Sequence, residues 1–201
     1  MIHVALTGNV AAGKSTVGRL FQSWGATIID ADQLVREVQS PGSPVLDEMA
    51  RAFGPGILKP DRRLDRAALR RRVLADEAAR HRLEAIVHPA VQQRRQQLVE
   101  EALRRGERVV VSDIPLLFEV MDPAAFDAVV LVDAPEALRV KRLMDDRGLD
   151  ETEARQLVAT QLPSAAKREW SGRLHIIDND ADTARLERRA REVWDRLAAH
   201  P

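Results

Sequence analysis

The sequence predicts an α/β protein, a three-layer α/β/α core around a five-stranded parallel sheet, carrying a helical insertion and a two-helix lid. Three observations predict it. Short runs rich in Val and Ile alternate with helical patterns, the order expected of parallel strands joined by crossover helices. A glycine-rich stretch stands where the first run meets the first helix. One gap between runs, residues 32–106, is far too long for a simple crossover and is helical by pattern.

In chain order, the predicted strands are Ile2–Thr7, Thr27–Ile29, Arg108–Ser112, Ala128–Val132 and Leu174–Ile177. Each is nearly continuously apolar, as strands covered on both faces are. The first helix is expected from Lys14 to Trp24, with Gly25 just past its end. In the long gap, "SPGSPVLDEMARAFG" opens on turn chemistry at Pro41-Gly42 and closes at Gly54. Leu69 and Val73 share one face, Leu83, Ile86 and Val87 the next, and Asp76 is placed to cap between them. Pro89 is read as a helix start and Gly106 as its stop, with Val91, Leu98, Val99 and Ala102 facing inward. After the fourth strand come two helices joined at Gly148, the second begun by an Asp150/Glu153 capping box. Arg139, Lys141, Arg142 and Arg147 on the first suit a mobile basic lid, or simply a solvated helix face. The last helix carries Leu186, Ala190, Val193 and Leu197 at helical spacing.

Composition narrows the function. With 201 residues, 45% apolar and 31% charged, the chain suits one compact α/β domain. Lys plus Arg equals Asp plus Glu at 31 each, which argues against a DNA-coating protein. Aromatics at 3% and the absence of Tyr weaken any base-stacking platform. There is no Cys, which excludes disulfides, thiolate zinc sites and thiol nucleophiles. No basic n-region precedes an apolar segment, and no run approaches the ~18 residues of a membrane span. A cytoplasmic, monomeric protein with no nucleic-acid or membrane partner is expected.

Gly8, Gly13, Lys14 and Ser15 satisfy G-x-x-x-x-G-K-[ST] in the setting that gives this pattern meaning, between a strand and a helix. Such a loop aims successive backbone N–H groups into one concavity, where the helix dipole adds partial positive charge. The glycines permit close approach, Lys14 offers a full charge to the β- and γ-phosphates, and the Ser15 hydroxyl suits Mg²⁺. The spacing is not the G-x-G-x-x-G of dinucleotide folds. This places the chain in the nucleoside-triphosphate-binding P-loop class. No Asn-Lys-x-Asp element marks a GTP switch. The third strand ends "VVVSD", and Asp113 reads either as a carboxylate steadying Mg²⁺ through water or as a strand-end turn residue. A short chain with an early loop, a helical insertion and a basic lid suggests a small-molecule kinase.

At "IIDADQLVREV", together with "LDRAALRRRVLADEAARHRLEAIVHPAV", "DIPLLFE" and "QLPSAAKREW…HIIDN", the chain resembles the dephospho-coenzyme A kinases over nearly its whole length. The resemblance implies transfer of the ATP γ-phosphoryl group to the ribose 3′-hydroxyl of dephospho-coenzyme A, the last step of coenzyme A synthesis. It implies a nucleotide core (1–31, 107–134, 172–201), a helical substrate domain (32–106) and a lid (135–171). Gly8, Asn9, Val10, Ala11, Ala12, Gly13, Lys14, Ser15 and Thr16 would then hold ATP, with Thr16 at the α-phosphate. Asp32 falls on the family's proposed general base, with Asp30 in a supporting role. The other reading of Asp32 is an N-cap. His88-Pro89 matches a His-Pro pair, with His88 open between substrate contact and fixing a helix entry. Pro115, Leu116, Leu117 and Glu119 match a substrate-side loop. Arg142 matches a lid arginine, and Gln161, Asp178 and Asn179 match the nucleotide side. Asp146-Arg147 stands where the family often has Arg-Asp, and Asp180-Ala181 replaces a usual glycine. Another small-molecule or nucleotide kinase, or a non-catalytic nucleotide-binding module, are the other readings. The intact set of Lys14, Ser15 and Asp32 speaks against the last.

Overall fold

Five strands form among the described residues: β1 (Ile2–Gly8), β2 (Thr27–Asp30), β3 (Val109–Asp113), β4 (Ala128–Asp133) and β5 (Leu174–Asp178). Each ends one residue later than its apolar run, on a glycine or a carboxylate, because the sheet ladder takes in the first polar residue of the edge. The computed structural model describes residues 1–74 and 76–199; Ala75, His200 and Pro201, the last two closing the segment assigned to the core, lie outside the described residues. The chain divides into two compact units, Met1–Ile29 with Glu101–Pro201, and Asp30–Glu100.

In the first unit the sheet order is β2-β3-β1-β4-β5, with β1/β3, β1/β4 and β4/β5 parallel. Ile2, Val4, Leu6, Val109, Val111, Val130 and Val132 are buried in one core with Val17 and Phe21 of α1 (Lys14–Ser23) and five residues of α10 (Thr183–Ala198). Those five are Leu186, Ala190, Val193, Trp194 and Leu197, so the predicted stripe is the buried one. Phe21 is fully buried, worth roughly 1.5–3 kcal/mol of transfer energy. Its ring lies 5.6 Å from Trp194 and 6.1 Å from Trp24, sealing the seam between the two helices. The alternate residues Ala5, Val110, Val129 and Leu131 are buried as well, so both faces of the sheet are covered.

Two helices follow β4: α7 (Glu136–Arg147) and α8 (Glu151–Ala159), with the reciprocal Asp150/Glu153 capping box in place. They share a small core of Val140, Leu143, Ala154 and Val158, against which Val10 and Ala11 pack. Two short helices were not foreseen, α6 (Leu117–Val120) and α9 (Ser164–Arg168).

The second unit is helical: α2 (Ala31–Val38), α3 (Pro44–Phe53), α4 (Arg66–Leu74) and most of α5 (Glu77–Arg104). Leu46, Met49, Phe53, Ile57, Leu69 and Val87 form its core. Asp76 caps α5 by accepting from the Ala78 N–H. One expectation fails here. Pro89 does not start a helix; it sits inside α5, which continues to Arg104. A proline removes one i→i−4 bond and normally ends a helix. Here Leu83, Ile86 and Val87 before it and Val91 after it pack on the same core, and that burial carries the helix across the gap.

Candidate active site

Helix α1 begins in an unusual way. Its N-cap is Gly13, at φ 100 and ψ 15, with no side-chain cap and no acidic residue in the first turn. The helices α2, α3, α8 and α10 are each capped by an Asp or Ser side chain. Helices α6, α7 and α9 also lack a side-chain cap, but they start on Leu116, Pro135 and Pro163 rather than on a left-handed glycine. The orphan donors of a helix start need an acceptor. Among the described residues, no protein acceptor meets the amides of Ala11, Gly13, Lys14 or Ser15. These four bare N–H groups stand at the positive end of a helix, an arrangement suited to an anion.

The neighbours force this shape. A Cβ at Gly8 would stand 2.5 Å from the Val132 carbonyl oxygen, and one at Gly13 would strike the Asn179 amide nitrogen. Ala11 is itself in the left-handed region at φ 58, a strained state for a residue with a Cβ. It is held there by Arg142, whose guanidinium donates to the Ala11 carbonyl (3.0 Å) and to that of Asn179 (3.4 Å). Asn179, nearly buried, donates to the Ala12 carbonyl at 2.8 Å. The Val10 amide is taken by the Gln161 side chain at 2.7 Å. The Lys14 ammonium lies on the Asp113 carboxylate, brought near by the register that sets Leu6 opposite Asp113. The Ser15 hydroxyl is exposed, and Thr16 accepts from Arg19.

The other basic residues of α7 divide. Lys141 and Arg147 are exposed, while Arg139 is buried and donates to the Ala134 carbonyl, so it is not a free lid cation. Asp178 accepts from Arg168, which also bonds Asp133 and so clamps the ends of β4 and β5. These bonds, that to Asp178 first, hold the guanidinium still more firmly protonated. The Asp180 loop that replaces the glycine is pinned by Arg189. That hydrogen bond holds the Asp180 carboxyl below its ordinary range.

On the substrate-side loop, Pro115 accepts from the Thr7 hydroxyl at 3.2 Å, Leu117 is buried and Leu116 is exposed. Glu119 turns toward α9 and accepts from Lys167 (2.8 Å) and the Leu162 amide (3.1 Å). In the helical unit, Asp30 is the N-cap of α2, accepting from Gln33. Asp32 is therefore not the cap; it is exposed in the first turn of the helix. His88 is exposed on α5. The loop, Asp113, Arg142, Gln161 and Asn179 come together in the first unit; Asp32 and His88 belong to the second. Lys167, Arg168 and Arg189 escaped the sequence reading, since a lysine bound for the interior, or an arginine bound for a carboxylate elsewhere in the chain, looks like any solvated one.

A parallel sheet in the order 2-3-1-4-5 with this loop after the first strand defines a P-loop kinase. The family profile of dephospho-CoA kinase matches residues 2–185. A dephospho-CoA kinase of Corynebacterium diphtheriae is 41% identical over 195 residues, covering 97% of this chain and 96% of that protein. The crystal structure of TT1252 from Thermus thermophilus superposes with a TM-score of 0.80 at 35% identity, covering 98% and 97%. The dephospho-CoA kinase structure from Campylobacter jejuni shares the fold at TM-score 0.74 and 22% identity, covering 98% and 96%. The chain belongs to the dephospho-CoA kinase family. It phosphorylates dephospho-CoA in the final step of CoA biosynthesis.

Proposed function

We propose that the loop 8–16 seats the ATP triphosphate and that Asp32 prepares the ribose 3′-hydroxyl of dephospho-CoA to attack it. The uncapped start of α1 carries this reading: bare amides, a glycine where a cap belongs, and a lysine where the helix dipole opposes one. The Asp113 carboxylate neutralises that charge in the structure, and a triphosphate would take its place.

The 3′-oxygen forms its bond to the γ-phosphorus as the bond from that phosphorus to the β,γ-bridging oxygen breaks, and ADP leaves. The hydroxyl proton passes to the Asp32 carboxylate. Lys14 exchanges Asp113 for the β- and γ-oxygens, and Arg142 adds charge from the side of the lid. The bonds of Arg142 and Gln161 to the loop tie the two-helix segment to the nucleotide seat, where it excludes water from the transfer. Residues 115–119 receive the acceptor, together with His88.

The donor set also fits Mg²⁺. Among the described residues, no group of three or more His, Cys, Asp or Glu could cage a metal ion. The Ser15 hydroxyl would be the protein ligand of a Mg²⁺ carried mainly by phosphate oxygens, with Asp113 holding it through water. When bound, it neutralises charge on the β- and γ-oxygens.

The test is Asp32→Asn in a coupled ADP-release assay with and without dephospho-CoA, beside calorimetric ATP binding. Turnover is expected to fall by about 100-fold or more with ATP affinity nearly unchanged. Near-normal turnover would remove Asp32 from the chemistry.

A further inference from the structure

Lys167 is fully buried, yet nothing in the transfer chemistry above uses it. Its ammonium donates to the Asn9 side-chain oxygen at 2.7 Å and to Glu119 Oε1 at 2.8 Å. The same Glu119 oxygen accepts from the Leu162 amide at 3.1 Å. The Leu162 carbonyl in turn accepts from Asn9 Nδ2 at 3.2 Å. The four residues therefore close a ring of hydrogen bonds. Ser164 adds a second acceptor for Asn9 Nδ2, which leaves the amide of Asn9 a single orientation. The Phe118 and Trp170 rings, 6.2 Å apart edge to face, tie the same two segments a second time.

The ring joins three pieces of chain that must act together: the phosphate loop at Asn9, the acceptor-side helix α6 at Glu119, and the connector 161–167. We infer that Lys167 is a positioning residue for phosphoryl transfer, fixing the phosphate loop against the acceptor-side segment. The inference rests on the reading of loop 8–16 and of residues 115–119 given above. A buried ammonium is retained only where partners repay its desolvation, and apolar side chains would hold these segments together more simply. What apolar packing does not give is direction. Lys167 sets where the Asn9 amide points, and hence the curvature of the loop between Gly8 and Val10. With no exposed surface it does not reach a phosphate itself. Displacement of the reacting groups by about 1 Å costs on the order of 100-fold in rate.

The chain contains no cysteine, so Lys167→Cys introduces a unique thiol. Alkylation of the unfolded chain with 2-bromoethylamine, followed by refolding, rebuilds an ammonium at nearly the length of lysine. Alkylation with 1-bromopropane gives a neutral side chain of the same size. Lys167→Met serves as a genetically encoded neutral variant. In steady-state assays the neutral forms should lose about 100-fold in kcat, with KM for ATP and dephospho-CoA moving less than about fivefold. The aminoethyl form should recover kcat to within about threefold of the unaltered enzyme. Full kcat in a refolded neutral form would overturn the inference, since packing alone would then suffice. So would failure of the aminoethyl form to recover kcat when its melting temperature matches the unaltered enzyme. Lys14→Ala in the same assay separates the two readings. An active Lys14→Ala would sink the phosphate-loop reading, whereas an inactive one beside an active Lys167→Met would sink only this inference.

Discussion

Gly13 meets two demands that no other residue meets together. Its φ of 100 turns the backbone so that α1 starts with its amides bare, and its missing side chain leaves room for the Asn179 amide. An alanine there takes on the left-handed penalty of about 1–2 kcal/mol and must also displace Asn179. Asn179 is nearly buried and bonded to Ala12, so it gives way only by breaking that bond. Gly13→Ala is therefore expected to lower the unfolding free energy by at least that amount, seen as a lowered denaturant midpoint, and to abolish ATP binding in calorimetry. A midpoint and affinity equal to the parent would show that the loop tolerates a Cβ. Asp32 illustrates how residue-scale evidence sorts two readings. By sequence it was either a base or an N-cap, and the hydrogen bond from Gln33 gives the cap to Asp30. An exposed carboxylate freed from capping is what a proton acceptor requires.

Among the elements, α5 breaks a local rule and α1 breaks another. In α5 the proline costs the helix one internal bond, and the apolar stripe on both sides overrides that cost. Pro89 is exposed, so replacing it loses no core contact. Pro89→Ala should stabilise the protein by about 1–3 kcal/mol, seen as a raised melting temperature. An unchanged or lowered melting temperature would mean that the proline geometry is needed by the bend it imposes. In α1 the missing cap has no such compensation from packing, and the proposed function gives its bare amides a phosphate to meet. The start of α8 and the Gly148 junction obey their local rules, and both were readable for that reason.

Across the whole molecule, legibility follows physics. The strands were readable because burial on both faces leaves continuous Val and Ile runs, and the loop because anion binding demands glycine at fixed spacing. The lid arginines were only half readable. Arg139 and Arg142 look alike in sequence, but the first is buried against Ala134 and the second reaches the loop. The ring around Lys167 was not readable, since it joins residues 9, 119, 162 and 167, and burial of a lysine is decided by the fold alone. Site and sheet agree on where chemistry belongs. Gly8, Asp113, Asp133 and Asp178 end their strands at the carboxyl edge, where open parallel sheets place their ligands.

The most direct measurement is a crystal structure with bound Mg-ATP. The account predicts phosphate oxygens on the amides of Ala11, Gly13, Lys14 and Ser15, and the Lys14 ammonium moved from Asp113 onto the β- and γ-phosphates. Nucleotide bound elsewhere, or Lys14 still resting on Asp113 with ATP present, would contradict it.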